Sequence, residues 1–306
     1  MFSYRHAFHA GNHADVLKHM VVLQICQYMT QKEKPLTYID THAGVGMYQL
    51  TNPMAQKSGE AETGILKLLP LWANKNALPK LLHDYLKHIV DLNQKYAHAQ
   101  PLEAKLYPGS PYVASQHLRE VDRLRIFELH PTDMRLLDDN LNHINLADSR
   151  DDKRVLFKTV DGFVGLKANL PPASRRGLVL IDPSYEIKDD YAKVAKAIKD
   201  AMIRFPTGTY AVWYPILARQ ESTNLPIQLE RIANEAGVKW LHATLAVDKV
   251  LPTHAAGGLQ ASGMFVINPP YTLVDDLKAS LPLVAQTLKT SPVGGFELFA
   301  SKGKKS

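Results

Sequence analysis

Five short, apolar, β-rich runs, at residues 36–39, 124–129, 155–160, 178–181 and 210–214, constrain this chain more than any other feature. Helical patterns at 131–141, 162–170 and 191–204 separate the last four. Strands that alternate with helices build a mostly parallel sheet covered on both faces, because each crossover helix must lie against the sheet. Two longer β-like runs, 240–250 and 263–267, are expected to close the chain as an antiparallel hairpin. Ahead of the first strand, Asn12 is a suitable N-cap for a helix reaching Met29, with Leu17, Val21, Ile25 and Tyr28 at helical spacing.

One interval breaks the rhythm. About eighty residues separate the first two strands, where a crossover needs only about thirty. Leu78, Leu81, Leu82, Tyr85, Leu86, Ile89 and Val90 form an apolar helical stripe there, and Ile65, Leu68, Leu69 and Trp72 begin another. The expected organisation is a core of residues 1–52 and 106–306, opening with an arm at 1–12, and a small helical insertion subdomain at 53–105. A chain of 306 residues has room for one such domain with an insertion.

Composition narrows the class. With 45% hydrophobic and 22% charged residues the chain is not disordered. It lacks an apolar run of about 18 residues, so no membrane-spanning helix is expected. Its first twenty residues are dotted with histidines and lack the apolar centre of a leader. The single cysteine, Cys26, cannot form an internal disulfide, and a cytoplasmic location is expected. The net charge of +6 suits a polyanionic partner, but Lys302, Lys304 and Lys305 lie in the last five residues, and +6 less 3 leaves only +3 on the rest.

Chemistry gathers at the strand ends. Asp40-Thr41-His42-Ala43-Gly44-Val45-Gly46 is a glycine turn after the first strand, where an open α/β sheet binds nucleotides. Its spacing is not that of a nicotinamide or flavin site; D-x-x-x-G-x-G is the pattern of S-adenosylmethionine-dependent methyltransferases. Glu128 ends the second strand, where an acid accepts both ribose hydroxyls of a nucleoside, and Asp161-Gly162 ends the third, where an acid reads an adenine amino group. Each acid alone reads equally as a solvated strand end; three in succession do not.

Asp182-Pro183-Ser184-Tyr185 follows the fourth strand and is close to the [DNS]-P-P-[YFW] of amino-directed methyltransferases. An adenine amine is a poor nucleophile because its lone pair is delocalised into the ring. The acid side chain and the Pro183 carbonyl accept both amine hydrogens and turn the lone pair toward the methyl donor, while the aromatic ring stacks on an extruded base. Ser184 replaces the second proline of that pattern. Asn268-Pro269-Pro270-Tyr271 matches the pattern better but follows the final antiparallel run, so it is read as a strand-terminating turn. His6, His9 and His13 lack the ligand set of a zinc site, and no metal is expected. With Tyr4 and Arg5 they read as an aromatic and cationic set for RNA, or as a packed arm without function.

These blocks, with Ser3-Tyr4-Arg5-His6, Phe8 through His19, Tyr107-Pro108-Gly109-Ser110-Pro111, Glu128-Leu129-His130-Pro131, residues 208–215 and Ala261-Ser262-Gly263-Met264, resemble the RlmJ family of bacterial large-subunit rRNA adenine-N6 methyltransferases. The resemblance implies a Rossmann-like fold with a helical subdomain after the first strand. It implies S-adenosylmethionine contacts at His19, His42, Ser110, Glu128, Asp161, Gly162 and Asp182, with S-adenosylhomocysteine as product, and the glycine turn adds Gly44 to the expected cofactor site. It makes Asp182 the catalytic acceptor and links Tyr4 to the RNA; the residue reading adds Pro183 and Tyr185 to the expected catalytic set and Arg5 and His6 to the expected RNA contacts. A monomer acting on naked 23S rRNA, before full ribosome assembly and without an obligate protein partner or membrane, is the family's mode. Two other functions fit the residues: a DNA adenine methyltransferase, disfavoured by the lack of an added DNA-recognition domain, and an RNA-binding protein that lost turnover through Ser184.

Overall fold

The computed structural model describes residues 8–143, 154–250 and 258–301. Tyr4, Arg5 and His6 therefore lie outside the described residues. The chain opens with α1 (His13–Met29), capped by the Asn12 side chain, which accepts from the Asp15 N–H. Its residues from His13 through Cys26 are all buried, because other elements surround the helix. Next comes β1 (Thr37–Asp40), then β2 (Met47–Gln49), α2 (Pro53–Ser58), α3 (Glu60–Thr63), α4 (Ile65–Leu68), α5 (Lys80–Ala97) and β3 (Leu106–Pro108). The short strands β2 and β3 pair antiparallel and bracket the helices between them.

The rest of the chain alternates as expected: α6 (Ser110–Ser115), β4 (Arg123–Phe127), α7 (Pro131–His143), β5 (Val155–Lys158), α8 (Gly162–Ala168), β6 (Gly177–Ile181), α9 (Asp189–Arg204), β7 (Thr209–Pro215), α10 (Gln220–Glu235), β8 (Trp240–Ala246) and β9 (Ala261–Ile267). The hairpin of β8 and β9 does not end the fold, which corrects the expectation. A helix, α11 (Leu273–Leu288), and a strand, β10 (Gly295–Ala300), follow. Pro282 inside α11 hides the helical pattern, since an interior proline ordinarily breaks a helix. Burial of Leu273, Leu277, Leu281, Val284 and Leu288 along one face holds it together.

The main sheet has eight strands in the order β10-β8-β9-β7-β6-β1-β4-β5. The five from β7 to β5 are parallel, and β8, β9 and β10 pair antiparallel to their neighbours. This is a Rossmann-like α/β fold. One face packs under α1, α5, α7 and α11, the other under α8, α9 and α10. The chain leaves β1 for β4 and β5 on one side and returns to β6 on the other, so a crevice opens at the carboxyl ends of β1 and β6. Register sharpens this: Asp40 lies level with Ile126 of β4 and Leu180 of β6. Glu128 and Asp182, each two residues beyond those partners, therefore emerge at one edge.

Candidate active site

At that edge lies a cavity of about 380 Å³, lined by residues from six segments of the chain, including His19, His42, Ser110, Glu128, Asp161 and Asp182. Gly44 and Gly162 line it as well. Every proposed cofactor residue thus reaches one space. The loop after β1 carries positive φ at Gly44 and Gly46, 59° and 72°, the left-handed region that a Cβ disfavours. Gly162 has a different reason: a Cβ there would meet the Thr41 carbonyl oxygen at 1.9 Å, so only glycine lets α8 start against the loop.

Hydrogen bonds hold the acids in place. Gly44 N–H donates to Glu128 Oε2 at 2.9 Å and His130 N–H to Oε1 at 2.8 Å. Burial raises the Glu128 pKa against these two donors. Asp161 caps α8, with Oδ1 accepting from the Phe163 and Val164 N–H groups. Asp40 is fully buried and accepts from the hydroxyls of Tyr38 at 2.9 Å and Ser110 at 2.7 Å; burial pushes its pKa up to about 6. Ser110 is thus held by Asp40 while lining the cavity. The Thr41 hydroxyl donates to the Leu180 carbonyl and so accepts from His42 Nδ1, 2.8 Å away. Burial lowers the His42 pKa to about 4, so this ring is neutral at pH 7. His19 Nδ1 shares a hydrogen bond of 2.9 Å with the Tyr107 hydroxyl.

The acid of the loop after β6 has a partner that sequence reading missed. Lys18 of α1 donates to Asp182 Oδ2 at 2.6 Å and lies 2.8 Å from Asp15 Oδ1. All three side chains are nearly buried, at 5%, 11% and 2% exposure for Lys18, Asp182 and Asp15. Burial alone would lower the Lys18 pKa; the two carboxylates overcome it and raise it. The signal in the sequence was a single helical turn, Asp15 to Lys18, on a helix whose every other face is apolar or buried. What it could not show was that the partner lies 164 residues away.

A second cavity, of about 190 Å³, shares Lys18, Asp182 and Ser184 with the first. Tyr185, Trp213, Pro215 and Leu217 supply apolar wall, and His9, Asn12 and Asp15 supply polar groups. Tyr185 is buried at φ +53°, packed on Tyr191 at 4.6 Å and Trp213 at 5.9 Å between centroids, and its hydroxyl donates to the Trp213 carbonyl at 2.7 Å. Pro183 and Ser184 line the first cavity beside Asp182.

Other residues are placed elsewhere. Asn268 follows β9, its side-chain amide donating to the carbonyls of Pro206 and Gly208, both at 2.8 Å. It is a turn residue outside both cavities. Of the histidines read as a cationic set, His13 is corrected: burial drives its pKa down to about 4 and leaves it neutral. His9 instead pairs with Glu60 of α3, Nδ1 to Oε1 at 2.9 Å.

Known proteins resemble this chain over nearly its whole length. The family described as "Ribosomal RNA large subunit methyltransferase D, RlmJ" matches residues 33–299. Over 296 residues the chain is 44% identical to Ribosomal RNA large subunit methyltransferase J of Haemophilus influenzae, covering 97% of each protein. Identity to the Escherichia coli protein of the same name is 41% over 295 residues, 96% of each. The crystal structure of protein LPL1258 from Legionella pneumophila superposes with a TM-score of 0.78 at 35% identity, covering 97% of this chain and 99% of that one. A family match across most of the chain, relatives aligned over nearly their whole length and a shared fold lead to one conclusion: the chain belongs to the RlmJ family of large-subunit ribosomal RNA methyltransferases.

Proposed function

We propose that this protein transfers a methyl group from S-adenosylmethionine to N6 of one adenine in 23S rRNA, releasing S-adenosylhomocysteine. The observation that supports it most is the pair of adjoining cavities with Asp182 in their common wall. The first cavity suits the donor. Both Glu128 oxygens hold a backbone N–H and keep acceptor capacity for a ribose diol, and Asp161 takes both its capping bonds through Oδ1, leaving Oδ2 for an adenine amine. His19, His42, Gly44, Ser110 and Gly162 complete the walls. When bound, S-adenosylmethionine supplies an electrophilic methyl group.

The second cavity receives the target base, which must leave its stack to be reached. Its volume is that of roughly six waters at about 30 Å³ each, the scale of a single heterocycle. Asp182 and the Pro183 carbonyl accept the two N6 hydrogens and aim the nitrogen lone pair at the first cavity. The ion pair with Lys18 holds Asp182 in one orientation, so the acceptor is preorganised where positive charge develops on nitrogen. Tyr185 and Trp213 give the base an aromatic wall. The 53–105 helices form an insertion subdomain, braced by α5 against α1 and α11, and Tyr4, Arg5 and His6 of the arm meet the RNA. The protein works as a cytoplasmic monomer on rRNA before assembly is complete. Among the described residues no helix is long and apolar enough to cross a membrane.

Tritiated S-adenosylmethionine incubated with unmodified 23S rRNA or with DNA, followed by nucleoside analysis, tests this. N6-methyladenosine from rRNA alone is the expected product. Label in DNA would favour the DNA enzyme, and binding of RNA without label would mean turnover has been lost.

A further inference from the structure

One charged group in the second cavity forms no ion pair with a described residue. Arg219, half-buried, lines the cavity that Asp182 also lines. Its guanidinium lies over the Tyr191 ring, 5.7 Å from the centroid, yet it forms no ion pair and donates no side-chain hydrogen bond to a described residue. The neighbouring carboxylates are engaged elsewhere, Glu221 with Lys188 at 3.7 Å and Asp190 with Lys193 at 3.2 Å.

The segment carrying Arg219 is tied down. Leu217 N–H donates to Ser222 Oγ at 3.0 Å, the Ser222 hydroxyl donates to the Pro215 carbonyl at 2.8 Å, and Arg219 N–H donates to the Leu217 carbonyl at 2.7 Å. Tyr191 beneath it is buried and packed on Tyr185. A guanidinium stacked on a fixed ring keeps its planar fork of donors in one orientation, which suits a phosphate better than a carboxylate already claimed by lysine. A cavity sized for one heterocycle must leave the sugar and phosphate of its nucleotide at the mouth, where a half-exposed arginine reaches both cavity and solvent.

We propose that Arg219 binds the phosphate of the extruded target nucleotide and so holds its base beside Asp182. The proposal rests on the second cavity being the target-base site. It assigns substrate contact to a residue that lies outside the cofactor cavity.

The test compares wild type, Arg219→Gln and Arg219→Lys on unmodified 23S rRNA, recording the single-turnover rate at saturating RNA and the salt dependence of kcat/KM. Melting temperature and S-adenosylmethionine affinity are measured alongside. Arg219→Gln is expected to slow the saturating rate about tenfold or more, since a misplaced base reacts poorly. It is also expected to reduce the slope of log kcat/KM against log salt by about one, the signature of one lost phosphate contact. Arg219→Lys, which keeps the charge and the fold, should retain the wild-type slope and recover part of the rate. A reduced slope with an unchanged saturating rate would put the contact outside the target nucleotide and overturn the proposal. A slower rate with an unchanged slope would mean Arg219 only packs on Tyr191, and would overturn it as well. If wild type itself fails to methylate rRNA, the functional reading fails first and is distinguished by that control.

Discussion

Burying a lysine between two aspartates makes the charge of each side chain depend on the other two. Removing only Lys18 leaves Asp15 and Asp182 facing each other out of water, and breaking a buried pair this way costs about 3–5 kcal/mol. Lys18→Met should therefore lower unfolding free energy in urea by about that amount, and adding Asp182→Asn should recover part of it; strictly additive losses would show that the pair is not coupled. Asp182→Ala should lose at least about 10²–10³ in single-turnover rate with little change in cofactor affinity, as expected for a preorganised contact to the reacting centre. Glu128 belongs to binding instead. Glu128→Ala should weaken S-adenosylmethionine binding by about 1–3 kcal/mol in calorimetry, and unchanged affinity in a folded variant would remove Glu128 from the site. The acid-tipped strand ends were legible from residue type and position. Lys18 was not, because an interior lysine on a helix announces neither its burial nor a partner on a distant loop.

Elements meet at backbone distances that side-chain patterns do not reveal. The start of α8 touches the loop after β1 so closely that Gly162→Ala places a Cβ 1.9 Å from a carbonyl oxygen, and both elements must shift. Overpacking of that kind destabilises by about 1–3 kcal/mol. Here it also displaces His42 and Asp161, so cofactor affinity should fall along with the melting temperature; a variant with wild-type affinity would contradict the close approach. Asn268 gives the opposite pattern. Its amide joins the end of β9 to the segment entering β7, so Asn268→Ala should lower thermal stability and leave the methyl-transfer rate of the folded protein near normal. A folded but inactive variant would overturn the placement. Strand and helix order was readable because alternating apolar runs and amphipathic stripes are local. The α11–β10 extension was not, because Pro282 masks the helix and tertiary packing overrides the proline.

At the scale of the molecule, burial drives four histidines among the described residues down to a pKa of about 4 and so holds them neutral. They are His13, His42, His117 and His242, and burial is the largest cause in every case. Between about pH 6.5 and 4 the unfolded chain binds protons at these positions and the folded one does not. Stability therefore falls as pH drops through that window and levels off below it, by at most about 3 kcal/mol for each histidine. Urea midpoints measured from pH 7 to 4 should decline, and His242→Gln should flatten part of the slope; a level wild-type profile would show that these rings are not held neutral. Sequence alone determined the alternation of strands and helices, the glycine turn after β1, the acids at three strand ends and the place where extra helices interrupt the sheet. These depend on local periodicity, backbone freedom and side-chain chemistry, all written residue by residue. Only the tertiary structure decided that α1 is buried on all sides and that Lys18 meets Asp182. Only it decided that two cavities share one carboxylate wall, and that Arg219 reaches the second. Each of these depends on which distant segments the sheet order brings together, and burial then fixes the charge those side chains carry.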